Sequence, residues 1–255
     1  MTPCLAVLQS AARSGAFAYP GKAHLPRRSL SDVIQASLDQ YPYNVQHYPN
    51  HACQCLNEVN TNVTYYLSYM EVGPYLDWNS DGIALAKEDG IPILLMEYNT
   101  ISCSGTNISS TFAAAIGLID AGLKSAERGF SGAYIHMREA RIQYNLFDPP
   151  TSTSSGWITG APYYAALFLA ETFSASDNII VDLNLNDSLH NPRATSAAYG
   201  VYDVGSTRGK IVLLNLSEQG NEQVYAIPAN ITTSLHYRLL LAPSVLETSN
   251  ISCTS

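Results

Sequence analysis

The stretch IPILLMEYNTISCSG, residues 91–105, decides how the rest of the chain is read. Apolar residues and one proline lead straight into Glu97, after which the composition turns to Asn, Thr, Ser, Cys and Gly. A short apolar run closed by turn-formers is the pattern of a strand buried on both faces of a parallel sheet. Glu97 then stands at the carboxyl end of that strand, where α/β sheets bind ligands and present reactive side chains. A carboxylate in that place either pairs with a neighbouring Lys or Arg or takes part in chemistry.

Working upstream, Gly90 reads as a helix C-cap that feeds this strand. The segment 57–90 is predicted to be largely helical, with an interruption at Gly73-Pro74. Residues 43–48 form a strand-like run ending in QHYPNH, which clusters His47, Tyr48 and His51 where the strand stops. Ser31 and Asp32 start a helix over 29–40, and residues 1–28 carry little pattern.

Downstream, Phe112, Ile116, Ile119 and Leu123 recur at helical intervals, predicting a helix over 109–128 with one apolar stripe, stopped by Gly129. Residues 130–137 are another strand, with His136 near its end. Strand, helix, strand, helix, strand is the order of βαβ units, giving about three consecutive parallel strands. PYYAALFLAETF, 162–173, is a helix with Pro near its start and apolar residues almost all round. Beyond it the runs 179–185, 196–202, 211–216, 223–227 and 235–241 are short and separated by turn residues, which is antiparallel spacing. The expected organisation is an N-terminal segment 1–28, an α/β part 29–174 and a small antiparallel β-sandwich over 175–255.

A net charge of −8 without any Lys/Arg run excludes a nucleic-acid surface. No apolar run approaches the roughly 20 residues of a membrane-spanning helix. The five cysteines show no metal-ligand spacing, and no cofactor motif is present; a disulfide is open, with Cys53 and Cys55 too close to bridge each other easily. Asn-x-Ser/Thr triplets begin at Asn62, Asn107, Asn186, Asn215, Asn230 and Asn250, and with 17 tyrosines they suggest a secreted glycoprotein. Residues 1–15 lack the charge and apolar run of a leader, so further sequence is expected ahead of Met1.

The runs MEYNTISCSG, RGFSGAYIHM, QYNLFDPP, APYYAALFLAET and AAYGVYDVGSTRGKIVLLNL resemble the C-terminal half of fungal glycoside hydrolases of family 79, which includes β-glucuronidases and heparanases. The resemblance runs from about residue 43 to the C-terminus. It implies the last part, about strands six to eight, of a (β/α)8 barrel followed by a β-sandwich. It also implies a retaining mechanism with Glu97 as nucleophile, Tyr48 donating to it, His47 beside Tyr48, and Tyr144 at the sugar carboxylate. His136 falls where the family also has a histidine. Around the nucleophile the family usually reads Gly-Glu-Thr-Asn-Ser and then an aromatic. Here Met96 precedes Glu97, Tyr98 follows it and Ile101 replaces the aromatic, leaving Asn99 and Ser104-Gly105 as substrate donors.

A retaining glycosidase needs two carboxyl groups about 5–5.5 Å apart, one to attack the anomeric carbon and one to protonate the leaving oxygen and then activate water. The family's acid/base glutamate lies in an Asn-Glu pair upstream of the His-Tyr strand. Asn57-Glu58 follows that strand instead, and neither Glu71 nor Glu139 has a better place. The resemblance therefore implies a carbohydrate-acting chain whose proton donor, with the first barrel strands, lies on another stretch of polypeptide, the missing N-terminal barrel half. Two other classes fit the same residues: a non-catalytic carbohydrate-binding remnant using Tyr48, Tyr98 and Tyr144 as stacking surfaces, and an unrelated α/β protein with an ordinary strand-end carboxylate.

Overall fold

The computed structural model describes residues 42–153, 155–173, 177–191, 193–204, 209–227 and 236–254. The chain divides into two units, Met1–Tyr41 and Pro42–Ser255. The first lies wholly outside the described residues, and with it the helix expected over 29–40.

Within the second unit, β1 (Tyr43–Gln46), β2 (Asn50–His51), β3 (Ile93–Tyr98), β4 (Ile101–Ser102) and β5 (Gly132–Ile135) carry the parallel pairing. β3 is central, in the order β1-β3-β5, and both neighbours run parallel to it. Ile93, Leu95 and Tyr98 of β3 are buried, as the unbroken apolar run requires. β2 pairs parallel with β4 beyond the ends of β1 and β3. A disulfide between Cys53 and Cys103 then ties the two segments together just past that pairing.

The segment between β2 and β3 forms α1 (Val63–Tyr66), α2 (Tyr69–Asp77) and α3 (Ser80–Glu88). Asn62 caps α1 by accepting from the Thr64 backbone N–H. The break expected at Gly73-Pro74 is not there. Pro74 lies inside α2, which ends at Asp77 with Trp78 as its cap. In so short a helix the proline removes one backbone hydrogen bond just past the midpoint, and the turn continues. After α3, Gly90 takes φ +67°, and the Ile91 N–H reaches back to the Ala86 carbonyl at 2.8 Å, closing the helix end.

The helix α4 (Phe112–Arg128) is the centre of the unit. Thr111 caps it, and Gly129 at φ +106° stops it, so the sequence boundaries hold to within a few residues. Its first free backbone donors are taken up by the C-terminal segment, since Phe112 N–H donates to Glu247 O and Ala113 N–H to Val245 O. The expected single apolar stripe is too narrow a description. Buried residues run almost without a gap from Phe112 to Ser125, polar Asp120 and Lys124 included. The reason is that α4 packs against α2, β5, β8 (Asn178–Asp182) and α5 (Ala161–Thr172), leaving little of it facing water. Burying side chains such as Leu118, Ile119 and Leu123 contributes roughly 1.5–3 kcal/mol each.

Between β5 and α5 lies a small hairpin, β6 (Phe147–Asp148) with β7 (Ile158–Thr159). After α5, β8 and β10 (Gly209–Asn215) flank β9 (Ser196–Asp203) in an antiparallel sheet, and β11 (Leu239–Leu241) pairs with β12 (Ser252–Thr254). The strand expected over 223–227 is absent. Val224 is 96% exposed, and the segment is held instead by side chains, with Tyr225 Oη donating to the Leu214 carbonyl. One apolar core joins the two sides of residue 174, with Leu118 and Leu123 in the same cluster as Tyr199, Val201 and Val212. The described residues thus show a mixed α/β architecture of several small sheets and five α-helices.

Candidate functional site

Glu97 is the next-to-last residue of β3, and the strand is irregular where it carries it. Along β1 the register moves from Val45↔Leu95 to Gln46↔Glu97, and along β5 from Leu95↔Ala133 to Tyr98↔Ile135. Relative to both neighbours β3 therefore holds one extra residue, at 96. Such a bulge bends a strand and re-aims the side chains beside it. Beyond it the parallel ladder resumes on both flanks, as His47 N–H donates to Glu97 O and His136 N–H to Tyr98 O. The ladder sets His47-Tyr48 on one side of Glu97 and His136 on the other.

Tyr48 Oη donates a 2.9 Å hydrogen bond to Glu97 Oε1, and His136 Nε2 lies 3.8 Å from the same oxygen. The Tyr48 and Tyr144 rings are 6.4 Å apart, and those of His136 and Tyr144 5.9 Å apart. Glu97 and His136 keep 30% and 26% side-chain exposure, enough for a ligand to reach them. Burial first, and then the hydrogen bond to Glu97, push the Tyr48 hydroxyl far above its ordinary range. It therefore stays a neutral donor at every working pH. Burial raises Tyr144 in the same way.

His47 faces a different way from its neighbour. Its ring stacks on Tyr75 at 5.1 Å and lies against Trp78 at 4.6 Å, while Tyr75 Oη donates to its carbonyl at 3.0 Å. Burial lowers its pKa below the ordinary histidine value by disfavouring the charged ring. Gln46 to His51, with Ser102, line an open hollow of about 400 Å³ on this flank, and Tyr48 is common to it and to the Glu97 cluster.

Asn99 is 1% exposed. Its side-chain amide donates to the carbonyls of His136 and Tyr144, and its oxygen accepts from the Thr100 backbone. It fastens the end of β5 and the QYNLF segment to the end of β3. Asn145 makes a second fastening that the sequence did not reveal. Its oxygen accepts from Arg138 N–H, and its amide donates to Glu139 O and to Asp148 Oδ1. Cys103, Ser104 and Gly105 all have positive φ, and Gln143 N–H donates to the Ser104 carbonyl. The disulfide at Cys103 and this bond hold a left-handed turn beside Tyr144.

Glu58 lies in the turn before α1 and is exposed. Glu139 is paired with Arg138 at 3.2 Å. Among the described residues no other carboxylate is hydrogen-bonded or ion-paired to Glu97, and no cluster of three or more His, Cys, Asp or Glu could hold a metal ion. Tyr98 and Tyr144 are 1% and 2% exposed, which removes both from the rings that could stack on a sugar and leaves Tyr48. The described acceptor asparagines Asn62, Asn107, Asn186, Asn215 and Asn250 are all exposed, and Asn230 lies outside the described residues.

The α/β fold thus sets a carboxylate at the end of a central parallel strand, with a tyrosine donor, a histidine and a second tyrosine around it. No family model matches the chain, and no curated protein matches it. Among solved structures it is similar in fold to a 4-O-α-L-rhamnosyl-β-D-glucuronidase from Fusarium oxysporum 12S, determined in complex with Rha-GlcA, with TM-score 0.61 and 19% identity. The match covers 84% of this chain and 44% of that one, so the chain spans less than half the length of that enzyme.

Proposed function

We propose that the chain carries the nucleophile-bearing part of a retaining glycoside hydrolase that acts on β-glucuronides or closely related glycans. The observation that carries this reading is the 2.9 Å hydrogen bond from Tyr48 to Glu97 at the end of the central parallel strand, in a fold similar to that of a glucuronidase. A carboxylate nucleophile must stay ionised and hold one oxygen still while the other attacks, and a neutral phenol donor does both. His136 borders the same oxygen, and the buried Tyr144 ring packs beside His136.

In this reading β1, β3 and β5 are the sixth, seventh and eighth strands of a (β/α)8 barrel, and the antiparallel strands belong to a sandwich packed beside it. The acid/base carboxyl, which must stand about 5–5.5 Å from Glu97 in a retaining enzyme, is supplied by polypeptide outside the described residues. The exposed Asn-x-Ser/Thr acceptors fit a secreted glycoprotein.

We place the proton donor on polypeptide outside this chain, and that placement makes a specific kinetic prediction. A 2,4-dinitrophenyl β-glucuronide has a leaving group that departs without protonation, whereas a methyl β-glucuronide does not. The purified chain should release a burst of dinitrophenolate approaching one equivalent and then slow, because no base activates water for the second step; it should leave the methyl glycoside intact. Glu97→Gln should abolish the burst. The binding-only reading predicts no burst, and glucuronide binding unchanged by Glu97→Gln.

A further inference from the structure

The antiparallel sheet of β8, β9 and β10 is apolar on both of its faces. Successive residues of a strand point to opposite sides, and the register pairs Ile179 with Tyr202 and Gly200 with both Val181 and Ile211. One side, which carries Tyr199, Val201 and Val212, is buried in the core. The other carries Ile179, Val181, Leu183, Tyr202, Val204 and Ile211, which are 40–59% exposed. An antiparallel face meant for water is polar. Here no outward position of the three strands bears a charge. Two glycines shape the middle of this face. A Cβ at Gly200 would meet the Tyr202 ring at 2.9 Å, and one at Gly209 would meet it at 3.5 Å. The ring therefore lies across the backbone of β9 as a level floor, with ridges from β8 and β10 on either side.

We infer that this outer face is the interface of a homodimer, in which two copies of the chain pack sheet on sheet about a two-fold axis. The proposal stands apart from the chemistry at Glu97. Six side chains of this size, each about half exposed, present on the order of 500 Å² of apolar surface, toward the upper end of what a monomer leaves in water. Pairing two such faces removes roughly 1,000 Å², enough for a specific interface and short of an obligate one. Charge points to the same occupant. The chain carries a net charge of −8, and an uncharged face is where two such copies meet without like-charge contact. A second copy also brings the same floor and ridges, so a two-fold pairing is matched on both sides at ordinary sheet-packing distance. A sugar is the poorer occupant, because it needs polar groups to fix it over the ring, and the outward neighbours of Tyr202 are aliphatic. Asn215, a glycan acceptor on the same side of β10, stands four residues from Ile211, about 13 Å along the strand. A glycan there borders the interface without filling it.

Sedimentation equilibrium of the full chain tests this. An interface of this size should associate at micromolar concentration, so the mass should rise from the one-chain toward the two-chain value between about 1 and 100 μM. Ile211→Glu and Ile211→Lys each set like charges into the interface and should weaken association by more than about tenfold. Mixed one to one, these two variants should pair again, because the charges then oppose. Leu85→Glu, at an exposed residue of α3 off this face, should leave association unchanged. Far-UV circular dichroism checks that each variant is folded, and where the Ile211 variants unfold the same two substitutions at Ile179 replace them. A wild-type chain that stays single at about 100 μM, its face bare or covered by another polypeptide, would overturn the proposal. So would a dimer that a folded Ile211→Glu leaves intact.

Discussion

The site turns on how one carboxylate is held. Glu97 takes its hydrogen bond from Tyr48, a phenol that burial keeps protonated, so the donor is permanent. Tyr48→Phe removes that donor and leaves the ring in place. A hydrogen bond to a charged group contributes roughly 1.5–3 kcal/mol, so the glycosylation step should slow by about tenfold to a hundredfold. Burst rates with 2,4-dinitrophenyl β-glucuronide measure it, and an unchanged rate would remove Tyr48 from the mechanism. Glu97, Tyr48, His136 and Tyr144 could be named from the chain because each ends a strand or a short motif. Asn145 could not. Its importance comes from a clamp between two segments, and nothing in the spacing RIQYN announces that the asparagine reaches back to residue 138.

Among the elements, β3 and α4 were legible for a plain reason: an unbroken apolar run and a 3.6-residue period state what must be buried. The extra residue at 96 was not legible, since a bulge depends on the register of two partner strands. Nor was the passage of α2 through Pro74, because tertiary packing overrides a propensity worth one hydrogen bond. At 223–227 alternation suggested a strand, but side-chain anchoring won over backbone pairing. The disulfide belongs to this scale too. It joins the segments that follow β2 and β4, across a separation of 50 residues. Closing a loop of that length stabilises by about 4 kcal/mol in the chain-entropy account, with measured values typically about 2–4. Cys53→Ser/Cys103→Ser should therefore lower the urea-unfolding free energy by about 2–4 kcal/mol. It should also weaken glucuronide binding, because the left-handed turn at 103–105 loses an anchor. A loss of stability with sugar affinity untouched would separate that turn from the site.

Across the whole unit, a buried polar group sits where α4 meets the antiparallel sheet. Tyr199 Oη donates to Asp120, and Lys124 one turn on pairs with Asp182 of β8. Burial pushes the Asp120 carboxyl up to about 7, against the downward pulls of the Tyr199 hydrogen bond and the Lys124 charge. Its folded value thus lies above its unfolded one near 3.8. The folded state holds a proton that the unfolded chain releases, so this contribution is complete below about pH 4 and is lost as pH rises through about 7. Asp120→Asn keeps an acceptor for Tyr199 but cannot titrate. Its stability should fall less than wild type's between pH 4 and 7.5 in parallel urea titrations, and identical slopes would contradict the assignment. The parallel sheet that carries Glu97 leans on this same interface, so the fold and the site stand on one core. The central claim is that Glu97 attacks an anomeric carbon, and covalent capture reads it most directly. 2-Deoxy-2-fluoro-β-glucuronosyl fluoride should exchange its C1–F bond for an ester at Glu97, since fluoride leaves without a proton donor and the 2-fluoro group slows release. Peptide mass spectrometry should find the added fluorosugar on the peptide containing Glu97 in wild type and none in Glu97→Gln. A protein that binds methyl β-glucuronide yet gains no label, or gains it on another residue, would contradict the account.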